Sequence, residues 1–179
     1  MIFKKRRFDV IKVFRNFGYP EEERLIEFAK DVEQQFFTVA PYHFQYPIEV
    51  ETNIIWDREL ISEIKELNKQ FLSGLIHNAN LYMIYTRTSE SSEWKPKYFG
   101  QRKSQGIYGR IIEHLVTKNE ATGAKLGKVK EALRNGEEIG INLVKIQPEE
   151  LRLYIEEFII KQNSNLLDWN IHSKNRWKC

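Results

Sequence analysis

The sequence contains a single cysteine, no long apolar run and little net charge. One cysteine, Cys179, can form neither an internal disulfide framework nor a cysteine-based zinc site, so we expect a reducing, cytoplasmic location. The apolar runs, such as Ile159-Ile160, are far shorter than the roughly 18 residues that a membrane-spanning helix needs. The basic first residues are followed by no apolar segment with a small-residue cleavage site. We therefore expect no secretory signal and no membrane partner.

The net charge of +3 is too small to identify a nucleic-acid-binding protein, but the charge is unevenly distributed. Residues 1–79 carry a net charge of −2 and residues 80–179 carry +5. The second region is therefore the better candidate for contact with an anionic partner. Hydrophobic residues make up 41% of the 179 residues, which is enough apolar material for the core of one small domain.

The hydrophobic spacing of the first region is mostly helical. A helix is predicted over residues 5–17, and a second one starts at a proline followed by three glutamates in its first turn. A third helix is capped by Asp57 and continues for several turns of apolar residues at helical spacing. Between these two, Pro41 and Pro47 hold the chain out of a helix. We therefore interpret residues 1–79 as a helical N-terminal region.

In the second region, strands alternate with helices. The patterns predict a hairpin of two strands (residues 81–86 and 97–100) followed by two helices (106–117 and 124–134). A third strand (139–146) and a last helix (148–162) come after them. We expect an α+β fold in which a small three-stranded antiparallel sheet is flanked by helices and preceded by the helical region. The predicted domains are residues 1–79 and 80–179.

Several polar residues of the second region could carry chemistry. Arg110 and His114 lie four positions apart, so on a helix they share a face and place a bidentate phosphate donor beside a titratable group. Glu156 lies between apolar positions of the last helix, where a carboxylate is costly unless it is paired or binds a cation. An ion pair with Arg152 one turn earlier is the alternative for Glu156, and Glu157 is a rival acid by the same geometry.

An ordered series of motifs resembles the GIY-YIG nucleases. The series is Asn80-Leu81-Tyr82 in the first strand, Tyr98-Phe99-Gly100 and then Lys103 at the second, Arg110 and His114 on the next helix, Glu156 on the last helix, and Asn170 beyond it. Each element is common by itself, and the resemblance depends on their order along about residues 80–171. The sequence departs from the family at Asn80, where the first motif has glycine, and in a longer spacing between the two tyrosines.

The resemblance implies a divalent-metal-dependent endonuclease that hydrolyses phosphodiester bonds in DNA. It implies Mg²⁺ or Mn²⁺ bound by Glu156, which the family's spacing to the following lysine selects over Glu157. Tyr82 is expected to act as the general base, and His114 is the alternative because an unperturbed histidine pKa already lies near neutrality. The catalytic residues implied in this way are Tyr82, Tyr98, Lys103, Arg110, His114, Glu156 and Asn170.

Basic residues supply the predicted contacts with double-stranded DNA. In the second region these are Arg102, Lys103 and Arg110, and in the first region they are the cluster of Lys4, Lys5, Arg6 and Arg7, unless that cluster is only a solvated chain start. The helical region would aid DNA binding or dimerisation, and its apolar stripes could supply a homodimer interface.

The finer biological role and two alternatives follow from the same resemblance. The compact build resembles a site-specific restriction or phage-defence enzyme more than a homing endonuclease. One alternative is a module on a nuclease fold that binds nucleic acid or protein without cutting. The other is a nuclease that acts on RNA or on single strands.

Overall fold

The computed structural model describes residues 21–53, 55–117 and 123–170. Within these ranges the chain forms an α+β fold, in which an antiparallel sheet of four strands is flanked by helices on both faces. The predicted fold class, with an antiparallel sheet between helices, is confirmed. The helix predicted over residues 5–17, the basic cluster at residues 4–7 and the chain from residue 171 onward lie outside the described residues.

The elements follow the predicted order with small shifts of their ends. The helices are α1 (Glu22–Thr38), α2 (Arg58–Leu67), α3 (Lys69–Ser73), α4 (Ile107–Leu115), α5 (Leu126–Arg134) and α6 (Arg152–Gln162). The strands are β1 (Tyr42–Phe44), β2 (Leu81–Arg87), β3 (Lys95–Gln101) and β4 (Glu138–Val144). No helix in the described part of the chain is both long enough and apolar enough to cross a membrane.

The predicted number of strands is wrong, because a fourth strand comes from the N-terminal region. β1 pairs antiparallel with β4, with Tyr42 opposite Ile141, and forms one edge of a sheet in the order β1-β4-β2-β3. Pro41 and Pro47 keep this segment out of a helix as predicted, so its backbone is available for a sheet edge. The sheet therefore includes residues from both sides of position 79, and the division into domains at that position stays a prediction.

The N-terminal helices form where capping and periodicity predict them. The Asp57 carboxylate accepts a hydrogen bond from the Leu60 backbone N–H at 2.9 Å and caps α2. The long third helix of the prediction is interrupted at Asn68, which separates α2 from α3. The buried Asn68 amide bonds to the Ile64 carbonyl and to both backbone groups of Gln45, so this polar side chain ties the helices to the segment after β1.

β2 lies inside the sheet, between β3 and β4, and alternate side chains of a strand point to opposite faces. Tyr82 and Ile84 therefore join one apolar core, which includes α2, α4 and α5. The residues between them, Leu81, Met83 and Tyr85, join a second core with α1 and α6. The register places Tyr82 of β2 opposite Gly100 of β3. The two motif tyrosines, Tyr82 and Tyr98, thus lie on the face that carries α4.

Candidate active site

The two tyrosines pack closely because the residue between them on this face has no side chain. Gly100 lies opposite Tyr82, and a Cβ added to it would lie 2.6 Å from the Tyr82 Oη and 2.8 Å from Cε1 of Tyr98. Neither ring can turn away easily, since both are packed in the core. A glycine is therefore required here by the close approach of two aromatic rings.

A directed chain of hydrogen bonds connects the tyrosines to α4. The Tyr82 hydroxyl lies 2.8 Å from His114 Nε2, and the Lys125 backbone N–H donates to His114 Nδ1 at 3.0 Å. Because a backbone amide can only donate, Nδ1 accepts, and the proton of the neutral imidazole is on Nε2. His114 therefore donates its Nε2–H to the oxygen of Tyr82.

His114 is held in the neutral form by its surroundings. Burial lowers the pKa of this fully buried imidazole well below its usual range, and the positive charges of Arg110 and Lys125 lower it further. Both ring nitrogens are occupied by hydrogen bonds within the protein. The alternative in which His114 itself takes a proton from water is therefore disfavoured by its geometry.

Arg110 brings a fixed positive charge to the same point. Its Nε–H donates to the Tyr82 oxygen at 3.4 Å, and its Nη1 donates to Glu113 Oε2 at 3.0 Å. Burial lowers the pKa of Arg110, but the Tyr82 oxygen and the Glu113 carboxylate outweigh that effect and raise it. The guanidinium therefore remains charged at any pH at which the protein is folded.

The two phenols differ in their access to solvent. Tyr82 is 0% exposed and Tyr98 is 9% exposed. Burial raises the pKa of both phenols, and the charge and hydrogen bond of Arg110 partly oppose that effect at each. The pKa of Tyr98 is also raised by the charge of Glu156 and lowered by the hydrogen bond that it receives from Tyr82. Each phenol oxygen thus receives two hydrogen bonds, and Tyr98 is the one of the two tyrosines that keeps some solvent access.

Glu156, on α6, lies close enough to Tyr98 and Arg110 for its charge to interact with both. Its pKa is raised from 4.5 to about 7, chiefly by burial and further by the charge of Glu157. Hydrogen bonds from the Gln101 side chain and backbone oppose that shift, as does the charge of Arg110. The ion pair with Arg152, which was the alternative role for Glu156, is not the contact that Arg152 Nε makes, because that atom donates to the Gln101 Oε1 at 3.0 Å. Gln101 therefore bridges Arg152 and Glu156.

The remaining predicted site residues lie at the margin of this group. Lys103 and Arg102 are exposed on the turn after β3. The charge of Lys103 acts on Glu149, which accepts a hydrogen bond from the Ser104 N–H. The structure thus brings Arg110 next to the tyrosines and places Lys103 further out.

Asn170 supports the site through the backbone of β3. Its Oδ1 accepts from the Phe99 N–H at 2.9 Å, and its Nδ2 donates to the Phe99 carbonyl at 2.8 Å. The preceding residue, Trp169, donates its N–H to the Lys97 carbonyl at 2.9 Å. Asn170 therefore occupies the outer edge of β3 between Tyr98 and Gly100, where it fixes the strand rather than the carboxylate end of the site.

Asn80, at the glycine position of the first motif, also makes backbone contacts. Its Oδ1 accepts from the Ile146 N–H at 3.0 Å and its Nδ2 donates to the Ile146 carbonyl at 2.9 Å. Its own N–H and carbonyl bond to the Val144 carbonyl and the Arg102 N–H. This buried asparagine thus ties the start of β2 to the segment after β4 and to the end of β3.

The site contains few carboxylates that could bind a metal ion. Across residues 21–53, 55–117 and 123–170, no three histidine, cysteine, aspartate or glutamate side chains converge as a metal-binding group. Glu156 is the acid that acts on Tyr98. The other carboxylate of the site, Glu113, pairs with Arg110 at 3.0 Å, so Glu156 is the carboxylate that we consider as a ligand. A single carboxylate fits a hard cation that keeps several waters and also binds substrate phosphate oxygens.

Three residues of the site were not predicted from the sequence, namely Gln101, Glu113 and Lys125. Gln101 directly follows the second motif, and a polar residue there has no distinguishing pattern. Lys125 precedes α5, and only the fold brings it to the site. Its backbone N–H donates to His114 of α4, and its Nζ lies 5.2 Å from the centroid of the Tyr98 ring. A comparison with family models, curated proteins and solved structures found no match to this chain.

Proposed function

We propose that this protein is a divalent-metal-dependent endonuclease of the GIY-YIG type that hydrolyses phosphodiester bonds in double-stranded DNA. The observation that supports it best is the hydrogen-bonded group of Tyr82, His114 and Arg110 beside Gly100 and Tyr98. These residues come from three elements and match one ordered motif series. Packing alone does not require a partly buried arginine, a neutral histidine and two phenols to share hydrogen bonds.

Arg110 is the residue suited to the phosphate. Its guanidinium is partly buried, so its interaction with a phosphate oxygen is screened less than that of an exposed arginine. In hydrolysis, the water oxygen bonds to phosphorus, the bond to the leaving oxygen breaks, and negative charge grows on the phosphoryl oxygens. Arg110 would stabilise that charge, and Glu113 on the next turn would hold the guanidinium in place.

Glu156 is the proposed ligand of Mg²⁺ or Mn²⁺. A buried carboxylate with a pKa near 7 gains stability from a cation that replaces its proton. The bound ion would supply Lewis acidity and orient the phosphate oxygens. Gln101, which donates from its side chain and its backbone to Glu156, would keep the carboxylate directed into the site.

One tyrosine would take the proton from the attacking water, and to do so it must first have lost its own phenolic proton. Arg110 and the bound cation would stabilise that phenolate, which returns to the neutral phenol as it takes the proton. The resemblance assigns this role to Tyr82, but the geometry favours Tyr98, because Tyr82 has no exposed surface and its oxygen already faces His114 and Arg110. Tyr98 keeps some exposure and receives hydrogen bonds from Tyr82 and Arg110. We therefore propose Tyr98 as the phenol that contacts water, with Tyr82 and His114 orienting it.

Incubation of the protein with mixed-sequence duplex DNA tests this function. We expect cleavage that needs Mg²⁺ or Mn²⁺ and stops with a chelator. Arg110→Ala should slow single-turnover cleavage about 10²–10³-fold, by analogy with the loss of one charge-stabilising donor. Arg134→Ala, which removes an exposed arginine of α5, is the matched control and should cleave as the wild type does.

Two further comparisons identify the acid and the base. Glu156→Ala should abolish metal-dependent cleavage, whereas Glu157→Ala, which removes the exposed neighbour, should retain most of it. Tyr98→Phe should be at least as damaging as Tyr82→Phe if Tyr98 meets the water. Binding of DNA without cutting by the wild-type protein would support the non-cleaving alternative, and cutting confined to RNA or single strands would change the substrate.

A further inference from the structure

Lys125 lies at the same site but belongs to none of the motifs. It directly precedes α5, and its backbone N–H bonds to His114 Nδ1 at 3.0 Å. Its side chain extends over the face of the Tyr98 ring, with Nζ 5.2 Å from the centroid. Lys125 thus bonds to His114 through its backbone and contacts the Tyr98 ring through its ammonium.

This position places the Lys125 ammonium near a second cation, Arg110, whose charge Glu113 balances only in part. The side chain is partly buried, and burial together with the like charge of Arg110 lowers the pKa of Lys125. The aromatic face of Tyr98 offers some compensation, because the ring is negative at its face. Two cations near one phenol nevertheless repel each other, and an anion with several oxygens could contact both.

We propose that Lys125 is a second substrate-binding cation, which contacts a phosphate oxygen of the nucleic acid together with Arg110. This inference rests on the proposed function of the site, since it takes a phosphodiester as the ligand. Lysine suits the role as a compact charge with three donors, while Arg110 supplies the planar bidentate group. The bond from the backbone N–H to His114 fixes where the ammonium can reach.

Lys125→Met tests the charge while it keeps the backbone N–H and much of the side-chain length. Lys128→Met removes one charge three residues later, where the lysine is exposed and pairs with Glu131 at 2.9 Å, and it is the matched control. Binding to a mixed-sequence 20-base-pair duplex would be measured by fluorescence anisotropy in EDTA at several salt concentrations. Single-turnover cleavage would be measured separately in Mg²⁺.

A direct phosphate contact makes a specific forecast for the salt dependence. Lys125→Met should reduce the slope of log Kd against log salt by about 0.9, the value for one released counterion, and Lys128→Met should change it much less. Cleavage by Lys125→Met should fall about 10–100-fold, short of the loss from removing a charge-stabilising donor such as Arg110. Lys125→Arg should recover most of both losses.

The outcomes separate this inference from the proposed function. If the wild type cleaves and the two methionine variants behave alike, Lys125 is not a substrate contact and the inference is overturned. If the wild type binds DNA with a slope that depends on Lys125 but never cleaves, the binding role stands and the nuclease function fails. If it neither binds nor cleaves, both fail. A ¹⁵N spectrum of His114 in Lys125→Met should keep the Nε2–H tautomer, which shows that the site retains its structure.

Discussion

Replacement of the buried carboxylate on α6 should make the protein more stable in alkaline solution. In the folded protein the pKa of Glu156 is about 7, against 4.5 for an ordinary glutamic acid. The folded state therefore holds this proton more tightly than the unfolded state does. A shift of this size, from 4.5 to about 7, corresponds to about 3 kcal/mol. That free energy is the cost of burying the charged form.

The direction of the pH dependence follows from the raised pKa. Below about pH 4.5 the group is protonated in both states and does not affect stability. As the pH rises from 4.5 to 7, the unfolded state ionises first, so the wild type loses stability from this group. Above pH 7 the loss is complete and constant. Glu156→Gln has no such group, so its advantage over the wild type should grow across the window to about 3 kcal/mol.

Urea denaturation at several pH values between 4.5 and 8.5, with a chelator present, measures this difference. Glu63→Gln, which changes an exposed glutamate of α2, is the control and should follow the wild type throughout. Addition of Mg²⁺ at pH 8 should stabilise the wild type but not Glu156→Gln, because binding to the folded state alone raises stability. Parallel pH curves for wild type and Glu156→Gln, within about 1 kcal/mol, would refute the burial argument.

Three other outcomes are expected. Gly100→Ala should destabilise the fold by about 1–3 kcal/mol in urea denaturation and abolish cleavage, because its Cβ would overlap two packed rings. The control is Gly127→Ala in α5, where an added Cβ has no atom within 4 Å, and it should raise stability by about 0.5–1 kcal/mol. Asn170→Ala should cost about 2–4 kcal/mol, since it leaves both backbone groups of Phe99 without a partner, and an unchanged denaturation midpoint would contradict that contact. Mg²⁺ affinity, measured by calorimetry, should fall about tenfold per pH unit below pH 7, where Glu156 must lose a proton, and level off above it.

The elements that the sequence predicted correctly are those whose signal is local. The α2 cap at Asp57 depends on a hydrogen bond to Leu60 three residues later, and the hairpin strands show their β-forming residues directly. β1 has only three residues, and its partner Ile141 lies far along the chain, so its pairing is decided by packing rather than by composition.

Within the site, too, the contacts between residues close in sequence could be predicted and those between distant elements could not. Arg110 and His114 could be placed together from their helical spacing, and they do meet at Tyr82. Spacing also suggested that Arg152 pairs with Glu156, but Arg152 is directed to Gln101 on the neighbouring strand. Spacing along one helix states which side chains are near each other. It does not reveal a partner supplied by another element.

Two buried asparagines fix the ends and edges of the strands that carry the site. Asn80 bonds to both backbone groups of Ile146, and Asn170 bonds to both backbone groups of Phe99. Each side-chain amide thereby bonds to a backbone N–H and a carbonyl as a neighbouring strand would, Asn80 at the start of β2 and Asn170 at the free edge of β3. Tyr82 follows Asn80 by two residues, so its strand is fixed at the end where the phenol meets His114. A glycine at position 80 would lose both bonds to Ile146, so this asparagine stabilises the start of β2 in a way that glycine cannot.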